Sequence, residues 1–233
     1  MLKLFVNLAQ FFIVSSLLTV PNTIAQSDSS QKTQDSNTEI ADIKTLHQVA
    51  PSLKVTALNL AVSAYNHAYQ LGTVKKPILT VIDYSLPSSK KRMWVFDVVH
   101  DKLLYKTYVA HGKNSGNLYA KNFSNIHQSK ASSLGTYVTQ NTYYGGKGFS
   151  LNLKGLEKNY NSNAFSRRVV VHGAWYVNPQ FIQSHGRAGR SWGCPAVSPQ
   201  LAKPLINTIK DGSILFAYYP DKNYITNSDF AQA

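Results

Sequence analysis

The sequence predicts a mainly β protein, an antiparallel sandwich or barrel with an N-terminal helix and a late helix packed on it. Short segments rich in β-branched and aromatic residues, separated by polar turns, are typical of such folds. Residues 94–99 alternate only partly between apolar and polar, which indicates a strand covered on both faces. The predicted strands are 77–84, 92–99, 103–110, 135–140, 149–153, 168–172 and 213–219.

One helix is predicted ahead of the strands and one near their end. Apolar residues at spacings of three and four form a single stripe, and a glycine follows where a C-terminal cap is expected. We expect this stripe to cover the sheet. The late helix begins with Ser198-Pro199, an N-cap and a first-turn proline, and runs through Lys210, with Pro204 bending or shortening it. The stripe and its cap are Val55, Leu58, Val62, Tyr65, Tyr69 and Gly72.

The first residues indicate export. Lys3 precedes a short apolar stretch over 11–20, and small residues at 23–25 offer a cleavage site, so residues 1–25 resemble a secretory signal peptide. An uncleaved membrane anchor is the alternative, but polar residues interrupt a stretch that is already short for a bilayer. We expect an exported protein of the periplasm or cell envelope, with no stable membrane span after cleavage.

The remainder divides into three parts. Residues 26–50 are rich in Ser, Gln, Thr, Asp and Asn, which predicts a disordered polar linker. Residues 51–220 are long enough for one domain with its own core. Residues 221–233 are expected to form a C-terminal tail.

The chain is strongly basic, with 24 Lys and Arg against 11 Asp and Glu. Such an excess could draw the protein to an anionic cell-wall polymer, or it could serve solubility alone. An exported protein rarely meets nucleic acid, and no aromatic-basic RNA-binding motif is present. The charge therefore permits wall binding, and we expect no nucleic-acid partner.

Cys194 is the only cysteine of the 233 residues, so it cannot form an internal disulfide. An unpaired thiol exported into an oxidising space risks oxidation, and its retention suggests a use. A free thiol has a pKa of about 8.5, so a reactive one needs a neighbouring imidazole or backbone amides. The consecutive amides of Trp192, Gly193 and Cys194 could converge on an oxyanion.

The imidazole partner must come from seven histidines. His111 and His172 each end a predicted strand and precede a glycine, which would hold the ring rigidly at a sheet edge. His185 is nearer in sequence but lies in a glycine-rich segment that fixes no side chain. We favour His172, because its strand is the last before the cysteine loop and the more apolar, and so the more central. The others are expected on the surface, in packing or in polar turns: His47, His67, His100 and His127.

These residues resemble a known family. His172-Gly173 followed by residues 191–194, Ser-Trp-Gly-Cys, is similar to the His-Gly and Ser-His-Gly-Cys pair of L,D-transpeptidases, the YkuD-like enzymes that cross-link or decorate peptidoglycan. The run Gly-Arg-Ser-Trp-Gly-Cys-Pro-Ala at 189–196 looks like the murein L,D-transpeptidase catalytic domain family in particular. The resemblance covers about residues 51–220 and implies a catalytic domain with an L,D-transpeptidase-like (YkuD-like) β-sandwich or barrel.

The resemblance implies a role for each matching residue. Cys194 would attack an acyl carbonyl of a peptidoglycan stem peptide, His172 would move the proton, and the Gly173 carbonyl would be the third member. Ser191 would orient the loop, and the amides of residues 192–194 would form the oxyanion hole. The thioester would then pass to an amine, as a transpeptidase does, or to water, as an L,D-carboxypeptidase does. No cofactor is implied.

Three departures from the family pattern bear on substrate preference. The separation between the histidine and the cysteine is longer than in the common family members. Trp192 replaces the usual histidine, and the usual arginine after the cysteine is absent. Arg187 and Arg190 could replace that cation for a stem-peptide carboxylate, or they could be ordinary solvated charges. Tyr143 and Tyr176, with their neighbours Tyr144 and Trp175, could wall the cleft or pack in the core.

Other classes of protein fit less well. A sortase-like enzyme needs an arginine downstream of its cysteine, and none follows Cys194. Papain-like and NlpC/P60-like peptidases place cysteine before histidine. His172, His185 and Cys194 lack the close pairs of a zinc site, so we expect no metal. A non-catalytic peptidoglycan-binding module is the serious alternative. The sequence assigns no oligomeric state.

Overall fold

The computed structural model of the protein describes residues 40–232. The expected signal peptide at 1–25 and the linker residues before 40 lie outside the described residues. Within the described range, no helix has both the length and the apolar character to cross a membrane.

Eight strands form one sheet. In chain order they are β1 (Ile78–Asp83), β2 (Met93–Asp97), β3 (Lys102–Thr107), β4 (Gly135–Gly145), β5 (Gly148–Gly155), β6 (Val170–Gly173), β7 (Ala196–Val197) and β8 (Ile214–Tyr218). Their order across the sheet is β3-β2-β1-β8-β4-β5-β6-β7. Just after β3, Ala110 forms an antiparallel bridge with Ala196 of β7, so the two edges of the sheet nearly meet. The expected mainly β, barrel-like architecture is confirmed.

The sheet is mixed, whereas the sequence analysis expected an antiparallel one. β1 pairs with β8 in parallel, and β6 pairs with β7 in parallel. Parallel neighbours need a crossover connection rather than a hairpin. The crossover between β6 and β7 is residues 174–195, which contain Cys194.

Helices cover both faces of the sheet. They are α1 (Ile43–Val49), α2 (Val55–Gln70), α3 (Pro179–His185), α4 (Pro199–Ile209) and α5 (Lys222–Asn227). The buried face of α2 packs in one core cluster with Trp94 and Phe96 of β2, while α4 packs in a second cluster with Val95. Successive side chains of a strand point to opposite faces. The partial alternation of residues 94–99 therefore reflects a strand that is covered on both sides, as expected.

The predicted helices α2 and α4 are confirmed, and α1 and α5 are additional. α1 lies inside the segment 26–50 expected to be a disordered linker, yet its Leu46 is fully buried. α5 lies inside the expected tail, and its Tyr224 is likewise buried. Each short helix has one buried apolar anchor among polar residues, which is too little for a periodic stripe.

Candidate active site

The Cys194 sulfur lies against the beginning of β6. The Val170 N–H donates a hydrogen bond to Sγ at 3.5 Å, and the thiol lies 3.6 Å from the Arg168 carbonyl oxygen. The residue is partly exposed and unpaired. This placement fixes the thiol at the edge of the sheet, where a ligand can reach it.

The His172 imidazole is buried on β6 and has a defined tautomer. Its Nδ1 lies 2.9 Å from the Gly173 carbonyl oxygen, which can only accept a hydrogen bond. Nδ1 therefore carries the proton, and Nε2 of the neutral ring presents a lone pair. Burial lowers the pKa of His172, partly offset by the Gly173 carbonyl, so the ring is neutral at pH 7.

The thiol and the imidazole lie along the same short stretch of chain at β6. His172 pairs in register with Ala196 of β7, two residues after Cys194, and the sulfur contacts Val170, two residues before His172. Residues two apart on a strand are about 7 Å apart, so the thiol and the imidazole are near neighbours along β6. The hydrogen bonds of the sulfur go to β6 backbone rather than to His172.

The charge state of the pair follows from burial. Burial raises the pKa of the Cys194 thiol, and the Val170 N–H, Arg167 and Lys147 oppose that effect. A thiol with a raised pKa beside an imidazole with a lowered pKa is a neutral pair at pH 7. A base must therefore remove the proton as the sulfur attacks.

The alternative histidine, His111, is committed to a structural contact. Its side chain is fully buried, with Nδ1 2.7 Å from the Arg92 guanidinium and Nε2 3.3 Å from the Gly116 carbonyl oxygen. The guanidinium can only donate and the carbonyl can only accept, so both ring nitrogens are occupied. Burial and then the charge of Arg92 lower the pKa of His111 to about 4. No lone pair remains for a thiol.

Ser191 organises the cysteine loop, residues 189–195. Its hydroxyl donates to the Cys194 carbonyl at 2.6 Å and accepts from the Gly193 N–H at 3.0 Å. The expected oxyanion hole needs correction here, because the Gly193 amide is already used by Ser191. Within residues 40–232, the amides of Trp192 and Cys194 donate to no other atom and are the ones left for an oxyanion.

A glycine is required at position 193. Its φ of +121° lies where other residues rarely go, and a Cβ there would sit 2.7 Å from the Ala131 carbonyl oxygen. On the same side, the Ser132 hydroxyl donates to the Gly193 carbonyl at 3.1 Å. The backbone before the cysteine is therefore held against residues 131 and 132.

Comparison with known families bears on this arrangement. A model of the L,D-transpeptidase catalytic domain matches residues 49–218. The chain belongs to the L,D-transpeptidase catalytic domain family. None of the curated proteins compared with it matches.

Several solved L,D-transpeptidases are similar to parts of this family member. One from Mycobacterium smegmatis is 17% identical, and the match has a TM-score of 0.38. It covers 61% of this chain and 58% of the solved chain. A mutant Enterococcus faecium L,D-transpeptidase is 13% identical, with a TM-score of 0.32. That match covers 59% of this chain and 48% of the solved chain. An LD transpeptidase in complex with imipenem is 16% identical, also with a TM-score of 0.32. That match covers 54% of this chain and 53% of the solved chain. The chain thus spans about half the length of the structures it matches.

In this L,D-transpeptidase domain, the two tyrosines expected at the substrate cleft lie near Cys194 and His172. Tyr143 of β4 is opposite Ser150 of β5, which is opposite His172, so the three share one row of the sheet. Tyr176 packs so closely on the cysteine loop that a Cβ on Gly189 would meet its ring at 2.5 Å. Burial, and then the nearby Cys194, raise the pKa of Tyr176 to about 12.

The two arginines expected to bind substrate are directed elsewhere. The Arg187 guanidinium donates to the adjacent Ala188 carbonyl at 2.9 Å, and that of Arg190 donates to the Gly116 carbonyl at 3.4 Å. The cations that act on the Cys194 thiol are Arg167 and Lys147. Sequence reasoning missed them, although the Arg167-Arg168 doublet directly before the histidine strand was a signal.

A basic cleft of about 480 Å³ is a second feature that the sequence analysis missed. It combines cations with the exposed indole of the cysteine loop. Its lining residues are His127, Gln128, Lys130, Ser166, Arg167, Arg168 and Trp192. Among residues 40–232, no group of three or more His, Cys, Asp or Glu could hold a metal ion.

Proposed function

We propose that this domain is an exported, cysteine-dependent L,D-transpeptidase that forms a thioester with a peptidoglycan stem peptide and passes the acyl group to an amine. Cys194 is the nucleophile and His172 the base. One observation carries the proposal: the chain's sole thiol is hydrogen-bonded to the backbone of β6 two residues from an imidazole whose Nε2 is unprotonated. Family membership supplies the substrate class.

The reaction follows from the positions of the groups. His172 Nε2 removes the Cys194 proton as Sγ bonds to the acyl carbon, and the resulting oxyanion accepts hydrogen bonds from the Trp192 and Cys194 amides. His172 gives the proton to the departing amine as the C–N bond breaks, which leaves the thioester. The acceptor amine attacks that thioester and loses a proton to His172, which returns it to the thiolate.

The third member of the catalytic group is a backbone carbonyl. As His172 becomes an imidazolium, its Nδ1–H bond to the Gly173 oxygen strengthens and the ring keeps its orientation. The base-to-thiol hydrogen bond forms when substrate binds. Catalytic hydrogen bonds are often long in unliganded enzymes and tighten in the complex.

Acylation by imipenem tests the nucleophile and the base together. We expect intact mass to show one covalent adduct per chain on the wild type and none on Cys194→Ala. His172→Ala should form the adduct about 10²- to 10⁴-fold more slowly, because general-base catalysis contributes that range. His185→Ala, which removes an exposed imidazole, is the matched control and should keep the wild-type rate.

Folded protein that stays unmodified by imipenem would contradict the proposal. The acyl acceptor is tested by incubating the protein with cell-wall sacculi and analysing the muropeptides by mass spectrometry. New cross-links between stem peptides support the transpeptidase. Shortened stems would instead assign L,D-carboxypeptidase activity to the same thioester, and no change would assign a binding module.

A further inference from the structure

The basic cleft opens beside the thiol. Arg168 lines it, and the carbonyl of the same residue lies 3.6 Å from Cys194 Sγ. Trp192, two residues before Cys194, forms another wall and is 74% exposed. A ligand in the cleft would therefore lie next to any acyl group on the sulfur.

The cleft is positively charged without compensation. Its lining contains three cations and no carboxylate. Among the described residues the ion pairs are His100–Asp97 and Lys210–Asp211, so neither involves the cleft. An exposed concave surface with uncompensated positive charge attracts anions.

The three cations that line the cleft, Lys130, Arg167 and Arg168, differ in their contacts. The Arg167 guanidinium donates hydrogen bonds to the Ser124 and Ala131 carbonyls and to the Ser133 and Ser129 hydroxyls, so it fixes the wall. The Lys130 ammonium lies 4.9 Å from the centre of the Trp192 ring. In the described structure, the Lys130 and Arg168 side chains have no hydrogen-bond partner, which leaves both available to a ligand.

The backbone around the cleft is held in an uncommon conformation. Gln128, Lys130 and Arg168 have φ values of 59°, 54° and 56°, in the left-handed region that non-glycine residues seldom occupy. Each such residue costs on the order of 1 kcal/mol and persists only where its surroundings impose it. Such residues concentrate at functional sites. Three of them on one cleft indicate a shaped site rather than a chance surface.

We propose that Lys130 and Arg168 bind the free carboxylate of the stem-peptide residue that leaves when Cys194 attacks, with Trp192 as the apolar wall. This assignment rests on the proposed function and names its substrate subsite. The leaving residue carries its carboxylate close to the bond that breaks, which matches a cation site adjoining the thiol. A guanidinium binds a carboxylate in a planar, two-pronged contact. The site takes the role that the sequence analysis gave to Arg187 and Arg190.

The test uses protection of Cys194 from iodoacetamide, a neutral alkylating reagent, measured before the peptide acylates the thiol. A stem tetrapeptide with a free C-terminal carboxylate and its C-terminal amide are compared as protecting ligands. We expect the carboxylate form to give wild-type protein the same protection at a concentration about tenfold lower than that of the amide. Lys130→Asn and Arg168→Asn should each reduce that preference to about twofold or less. Asn tolerates left-handed backbone, so these variants should keep their fold, which thermal unfolding checks.

Lys90→Asn is the matched control, because Lys90 is exposed and does not line the cleft. It should keep the full preference. A second readout is the ratio of alkylation rates for iodoacetate, an anion, and iodoacetamide. Each cleft variant should lower that ratio by about fivefold, the effect of removing one nearby charge at the surface.

Equal protection by the carboxylate and the amide in wild-type protein would overturn the proposal, as would an unchanged preference in both cleft variants. Stronger protection by inorganic phosphate than by the carboxylate peptide would also overturn it and assign a phosphate site. If the carboxylate preference is present while no imipenem adduct forms, the subsite stands and the proposed function fails. If the adduct forms without a carboxylate preference, the proposed function stands and the subsite is rejected.

Discussion

Arg92 and His111 form a buried contact that supports the cysteine loop. The guanidinium also donates to the Leu86 carbonyl and twice to the Val109 carbonyl, so it is held by backbone. The His111 carbonyl accepts the Ser191 N–H at 2.9 Å. The His111 ring thus contacts the interior, while the His111 backbone is hydrogen-bonded to the loop that carries the thiol.

This contact predicts a pH dependence of stability. The pKa of His111 is lowered to about 4, whereas an unfolded histidine has about 6.5, so the unfolded chain binds the extra proton. The stabilising contribution is fully present above pH 6.5 and is lost as the pH falls towards 4. It amounts to about 3 kcal/mol at most, the free energy of that pKa difference. Urea unfolding across this range measures it.

His111→Asn is the comparison variant, because it keeps an acceptor for Arg92 and does not titrate. The variant should lose less stability than the wild type between pH 6.5 and 4. Carboxylates and His172 titrate in both proteins, so their effects cancel in the difference. Parallel stability curves for the two proteins would contradict the prediction.

At the scale of single residues, the sequence identified the site residues that stand in short motifs. It identified less well the site residues that only the fold brings together. His172, Gly173, Ser191 and Cys194 stand in two short motifs, and the structure places them within one region of the sheet. Their catalytic roles stay predictions. Lys130 comes from a distant polar turn whose approach to the cysteine loop depends on tertiary packing, which no local pattern encodes.

The C-terminal helix α5 is joined to the sheet through a buried carboxylate. Glu157 accepts hydrogen bonds from the Tyr224 hydroxyl at 3.1 Å and the Ser228 hydroxyl at 2.5 Å, and from the Thr136 N–H of β4. No cation pairs with it in the described structure, and burial raises the pKa of Glu157. Its hydrogen bonds therefore compensate for its burial.

Truncation after Pro220 should lower the free energy of unfolding by more than about 3 kcal/mol, the low end of the cost of losing a single large buried aromatic. The loss of Tyr224 and Phe230 from the core and of two hydrogen bonds to Glu157 is the reason. Urea unfolding is the measurement. Tyr224→Phe keeps the ring and removes one hydroxyl, so it should cost only about 1 kcal/mol. A truncated chain as stable as the full one would contradict the prediction and show that α5 does not stabilise the fold.

At the scale of elements, the hydrophobic pattern of the sequence identified the helices and strands that have a long apolar face. All seven predicted strands are present, and α2 and α4 lie where expected. β7 was missed because two residues, Ala196 and Val197, are too few for a pattern. α3 was missed because its polar sequence contains one buried residue, Ile182.

The whole molecule carries a net charge of +13, which affects how it meets an anionic wall. We predict that binding to isolated sacculi weakens strongly between low ionic strength and about 1 M salt, where the screening length falls to about 3 Å. A pull-down with sacculi across salt concentrations measures it. Lys130→Asn removes one charge and should keep nearly the same salt dependence. Binding that is indifferent to salt would show that contacts other than charge dominate.

The solitary thiol has a practical consequence. Because Cys194 is the chain's only cysteine, a maleimide dye or a nitroxide will attach at one known position without prior removal of other thiols. Such a reporter would lie beside the backbone of Arg168 and Val170, where β6 begins. Its emission or spectral line shape would register the arrival of a wall fragment in real time.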